Sequence, residues 1–121
     1  MNKILNVLLH VDEEDRWAIA CKNAETLIRM AEIGNYTLNL EITANSFAVR
    51  NLAVDNLGST VKLRDTLSAL IENGVKIYCC MESMKFLGIE SSMLMPFVEP
   101  VPSGVFHIAL RHQDGYAYIK P

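Results

Sequence analysis

Short apolar runs alternate along this chain with longer amphipathic stretches, and that alternation sets the expected fold. Ile4 to Val11 is nearly all apolar, as a strand buried on both faces requires. Asp12 to Asp15 then supply helix caps and first-turn acids, favourable beside the positive end of a helix dipole. In the helix that follows, Trp17, Cys21, Ala24, Ile28 and Ala31 share one face. Gly34 is expected to end it in the left-handed conformation. Tyr36 to Thr43 alternates, with Leu38, Leu40 and Ile42 on one side, and reads as a second strand. Asn45 to Val54 reads as a loop or short helix.

The second half repeats the theme. A helix from Ser59 carries Leu63, Leu67, Leu70 and Ile71 as its buried stripe, and Asn73-Gly74 stops it. Val75 to Cys80 is a third strand, Ser83 to Leu87 a short helix, and Ser91 to Met95 a turn. Val98 to Val101 contains Pro100, which suits only an edge strand. Ser103 caps a helix to about His112, and Tyr116 to Lys120 forms a last strand after Gly115. The expectation is an α/β fold, one domain over residues 1–121, with a five-stranded, mainly parallel sheet and helices on both faces.

Composition narrows the function classes. The chain has 121 residues, half of them hydrophobic and 21% charged, so it can bury a core without disulfides and is not a disordered segment. Net charge is −3 with no Lys/Arg cluster, which argues against nucleic acid as a partner. No apolar run approaches the roughly 20 residues of a membrane helix. The opening MNKILNVLLHVDEEDRW lacks a small-residue cleavage site and breaks at Asn6. Three cysteines without framework spacing suit a reducing compartment, so a cytoplasmic protein is expected.

Chemistry in an open parallel sheet gathers at the carboxyl ends of its strands. His10, Asn45, Cys80 and Ser103 fall at such ends. Cys80 is the sharpest candidate, because the amino end of a short helix follows it and unpaired N–H groups there favour a thiolate. Glu82 opposes that effect and Lys85 offsets it, so sequence leaves the net direction open. A buried, unreactive Cys80 is the alternative. Cys79 must point to the opposite face of the strand, and Cys21 lies on the apolar helix stripe; both read as core. His10 could orient or deprotonate a neighbour, or simply satisfy a backbone group. His107 and His112 are poorly spaced for a shared metal, and no zinc-like cluster or phosphate-binding glycine motif is present, so neither metal nor cofactor is expected.

Taken together, these residues resemble the DsrE/DsrF-like family. GVKIYCCMESMKFLGI, Gly74 to Ile89, resembles its cysteine motif, and VPSGVFHIALRHQDGYAYIKP, Val101 to Pro121, its ending. LLHVDEEDRW and ITANSFAVRNL resemble its first two strand exits. The resemblance implies a three-layer α/β/α fold and trimeric or hexameric assembly. It also implies membership of sulfur-relay systems, in which the motif cysteine takes up sulfane sulfur as a persulfide and hands it to a partner protein. The family's cysteine falls on Cys80, its alanine on Cys79 and its Ser/Thr on Ser83, while Glu82 replaces a common Asn.

The expected function is therefore a sulfur transferase or persulfide carrier using Cys80, with His10, Asn45 and Ser83 lining the site. The competing reading is a non-catalytic oligomeric domain that binds a ligand or partner, with Cys80 structural. Homo-oligomerisation is expected on a second ground, the density of apolar residues from Met81 to Phe97.

Overall fold

The structure, a computed structural model, describes residues 3–54 and 59–121, with the backbone alone at 59 and 60. Its strands are β1 (Lys3–Val11), β2 (Tyr36–Ala44), β3 (Lys76–Cys80), β4 (Val98–Val101) and β5 (Ala117–Ile119). Helices α1 (Trp17–Ile33), α2 (Ser59–Glu72), α3 (Met81–Leu87) and α4 (Gly104–Gln113) connect them. The sheet order is β4-β3-β2-β1-β5, and all four strand pairings are parallel.

This order decides which face each helix covers. From β1 to β4 every step moves in one direction, so right-handed crossovers stack α1, α2 and α3 on one face. The connection from β4 to β5 returns across the whole sheet and lays α4 alone on the other. The main core fills the first face. Val7, Leu9, Val11, Leu40, Ile42, Ala44, Ile77 and Cys79 pack there against Trp17, Ala20, Ala24, Leu67, Leu70 and Met84. The second face presents Leu8, His10, Glu41, Thr43, Tyr78 and Cys80, as the register requires. The vicinal cysteines thus part company, Cys79 into the core and Cys80 toward α4.

The α4 side is held by polar contacts. Glu41, 4% exposed in the centre of the sheet, accepts from Arg111 Nε at 2.9 and 3.0 Å through both carboxylate oxygens, and its Oε1 lies 3.2 Å from His107 Nε2. The His107 ring packs on Tyr78 with centroids 4.4 Å apart. A buried carboxylate is tolerated only with such partners, and here they seat α4 on the sheet.

Several local expectations are corrected. The acids after β1 cap nothing with their side chains: Glu14–Arg16 forms a 3-10 turn and α1 begins at Trp17. Asn35, not Gly34, takes the left-handed conformation, at φ 57°. Gly34 is small for another reason, since a β-carbon there would meet the Tyr36 ring at 2.9 Å. Only Val7 to Leu9 and Val11 of β1 are fully buried, while Ile4 is exposed at the sheet's far end. The short third helix begins at Met81, immediately after Cys80. The segment after β2, expected as a loop or short helix, does form a short helix, the 3-10 helix Ser46–Leu52.

The apolar stretch from Met81 to Phe97 does not stay outside. Met84, Leu94 and Met95 are buried in the core, leaving Met81 and Phe86 exposed. An isolated bridge between Ala53 and Leu94 ties this stretch to the 3-10 helix. The apolar density expected to lie between subunits is thus partly taken up by the chain's own core. Among the described residues, no helix is long and apolar enough to cross a membrane.

Candidate functional site

The site is assembled where β2 and β3 end and α4 begins. Ala44 pairs with Cys79, so the next residues along, Asn45 and Cys80, stand side by side on the α4 face. The bond from Asn45 N to Val11 O, 3.1 Å, carries the β1–β2 ladder one step past the strand end and holds Asn45 in line. Above both, α4 starts at Gly104. A β-carbon built there would lie 3.0 Å from Cys80 Cβ, 3.2 Å from Asn45 Cβ and 3.7 Å from Cys80 Sγ. Glycine is thus required by close approach rather than by backbone conformation. Ser103 caps α4, its hydroxyl accepting from Phe106 N at 3.2 Å.

Cys80 is 5% exposed. Burial disfavours its charged form and is the largest single influence on its ionisation. The Ser83 hydroxyl and the backbone N–H groups of Gly104, Ser83 and Glu82 act against it, and together they hold the thiol below its ordinary value of 9.0. Glu82 contributes through its backbone N–H, and its side chain is exposed. The other thiols behave oppositely. Burial pushes Cys79 up to about 12, with Cys80 adding to the rise, and pushes Cys21 up to about 11, with Glu25 adding. One thiol of the three is therefore suited to act as a nucleophile.

Ser83 has a second bond. Its oxygen accepts from Ser46 N at 2.7 Å, joining the start of α3 to the segment after β2. Ser46 takes φ 55°, a left-handed conformation that a side-chain-bearing residue adopts rarely and at a cost. The strained residue is the one that orients the hydroxyl beside the thiol.

His10 lies within β1, one residue before its end, with its ring on the same face. Nε2 is 2.8 Å from Asn45 Oδ1 and Nδ1 is 2.6 Å from the Tyr118 hydroxyl. An amide oxygen only accepts, so Nε2 donates to Asn45, while Nδ1 pairs with the Tyr118 hydroxyl. At the rim, Lys120 Nζ bonds Asp12 at 3.0 Å.

His10, Asn45, Cys80 and Ser83 therefore lie in one constellation, with Ser103 spent on capping. Sequence reasoning passed over Gly104, Ser46 and Tyr118. The quoted ending held a signal for two of them: Gly follows the cap Ser103, and Tyr116, Tyr118 and Lys120 alternate onto one face. Nothing local marked Ser46. The described residues include no group of three or more His, Cys, Asp or Glu side chains placed to hold a metal ion.

Solved structures share the fold. No curated protein sequence matches the chain. A protein of unknown function from Methanobacterium thermoautotrophicum, MTH1491, is 27% identical over the full length of both chains, with a TM-score of 0.82. The ychN protein of E. coli is 19% identical over the full length of both, with a TM-score of 0.71. A conserved protein of unknown function from Bacteroides thetaiotaomicron, BT1422, is 12% identical, with 99% of this chain and 95% of that one covered and a TM-score of 0.71. The profile of the DsrE/DsrF-like family matches residues 3–121, and the chain belongs to that family.

Proposed function

We propose that this protein is a small persulfide carrier in which Cys80 takes up sulfane sulfur and passes it to a second thiol. The observation that carries the reading is the cradle around Cys80, where a hydroxyl and three backbone N–H groups favour the thiolate against burial. The family's association with sulfur relay supports it. In the uptake step the Cys80 thiolate attacks the outer sulfur of a hydropersulfide donor. The new S–S bond forms as the donor's S–S bond breaks, and the donor leaves as a thiolate carrying the electron pair. In the release step an acceptor thiolate attacks the outer sulfur and Cys80 leaves as thiolate. Neither step needs a metal or an external oxidant.

His10, Asn45 and Ser83 line the site in this reading, and sulfur donor and acceptor proteins are the partners. Self-association is proposed through α4, whose Val105 and Phe106 are each 65% exposed, with Leu110 also exposed beside them. Treatment with a polysulfide followed by mass mapping tests the carrier reading. Sulfur should be added at Cys80, removable by a reductant, with Cys21 and Cys79 unmodified. Sulfur spread equally over the three cysteines refutes it.

The 5% exposure of Cys80 favours one second reading: a strand-edge site that binds a ligand or partner, with the thiol as packing. A Cys80 inert to iodoacetamide in the folded protein and reactive only in denaturant selects that alternative.

A further inference from the structure

The Cys80 thiol already has its donors in Ser83, Gly104 and Glu82, and Asn45 is not among them. Yet Asn45 stands beside it, its β-carbon and Cys80 Sγ lying 3.2 and 3.7 Å from the same point above Gly104. The Asn45 side chain is also oriented. Its oxygen accepts from His10 Nε2, and His10 is held in turn by the Tyr118 hydroxyl. That bond commits the oxygen, and among the described residues the amide hydrogens have no partner. One row below on the same face, between His10 and Tyr78, the fully buried Thr43 hydroxyl is also unpartnered. The site thus holds more polar capacity than a bare thiol uses.

We propose that Asn45 is the hydrogen-bond donor to the outer sulfur of a Cys80 persulfide, and that His10 and Tyr118 are positioning residues that hold its amide in that orientation. The assignment rests on the carrier reading. A persulfide places a second sulfur about 2 Å beyond Sγ, and its negative charge, once the proton is lost, resides on that outer atom. Donors that bond the inner sulfur no longer face the charge, and a further donor at the rim does. The amide NH2 of Asn45 fills that role. Its partner His10 matters because an untethered amide could present its oxygen, an acceptor, to an anion. The site would in this way distinguish the loaded carrier from the empty one.

The experiment compares two titrations in the wild type and in Asn45→Ala: the Cys80 thiol, by its ultraviolet thiolate absorbance, and the polysulfide-loaded Cys80 persulfide, by its own absorbance, both with Cys21 and Cys79 replaced by alanine. Asn45→Ala should raise the persulfide pKa by about one unit, the size of one hydrogen bond to a charged acceptor, and move the thiol pKa much less. Tyr118→Phe, at an exposed position that leaves the core untouched, should raise the persulfide pKa by a smaller amount in the same direction. That second variant serves if Asn45→Ala does not fold. A wild type that takes up no sulfur removes the carrier reading and this assignment with it. A wild type that loads normally, with an unchanged persulfide pKa in both variants, overturns the assignment and leaves the carrier reading standing.

Discussion

Gly104 stands over Cys80 with no space for a side chain between them: a β-carbon at 104 would sit 3.0 Å from the Cys80 β-carbon. The contact joins the first residue of α4 to the last residue of β3, two elements on opposite sides of β4 in the chain. It also delivers a backbone N–H to the thiol. The helix must therefore sit where it does for the thiolate to be favoured.

Gly104→Ala should push α4 off the sheet by a fraction of an ångström. The expected cost is about 1–3 kcal/mol, typical of overpacking a filled site. Chemical denaturation measures the stability, and iodoacetamide alkylation at neutral pH should slow because the Gly104 N–H moves away. Unchanged stability and alkylation rate would show that the contact yields without consequence.

Ser83→Ala removes the hydroxyl from the thiol and the acceptor from Ser46 N. The alkylation rate of wild-type Cys80 plotted against pH should have its midpoint below 9.0, and the variant's midpoint should move upward by about one unit, the value of one charge-assisted bond. A midpoint at or above 9.0 in the wild type contradicts the cradle.

Alkaline stability should report the other two thiols. Cys21 and Cys79 have folded-state pKa values raised to about 11 and about 12 from 9.0. The folded chain then holds protons that the unfolded chain loses, so their contribution is intact below pH 9.0 and declines as pH climbs toward those values. Cys80 is shifted the other way: its contribution is present above pH 9.0 and disappears as pH falls through its lowered value. Denaturant midpoints measured from pH 8 to pH 11 should fall, and Cys79→Ala should flatten the slope. An equal slope in the variant would mean that Cys79 is not the source.

Glu41→Gln leaves Arg111 facing a neutral amide in the middle of the sheet. Breaking a buried pair from one side costs about 3–5 kcal/mol, and the exposure of Arg111 at the rim places the expected loss near the lower end, about 3 kcal/mol. Thermal melting measures it. Because the same pair seats α4, Cys80 alkylation should slow as well. A loss of stability with unaltered Cys80 reactivity would separate the Glu41 anchor from the thiol site.

Self-association through α4 has a direct check. Light scattering on a sizing column should give a species heavier than 13.6 kDa, and Phe106→Glu should lower its mass. A 13.6 kDa species at every concentration removes the oligomer.

The alternation of apolar runs with amphipathic stripes determined the number of strands, their order along the chain, and the separation of Cys79 from Cys80. These follow from local periodicity, since a strand turns successive side chains to opposite faces and a helix gathers every third or fourth. The cap at Ser103 and the edge placement of the Pro100 strand were legible for the same local reason. What the tertiary structure decided is which distant residues meet. Only the crossover from β4 back over the sheet brings Gly104 onto Cys80 and Arg111 onto Glu41, and only the placement of β5 beside β1 brings Tyr118 to His10. The direction in which Cys80 ionises belongs to that second class. It is a balance between burial and four donors, two of them backbone groups close in sequence and one brought from α4. No pattern within a single segment contains that balance, because desolvation and hydrogen bonding depend on what the fold packs around the sulfur.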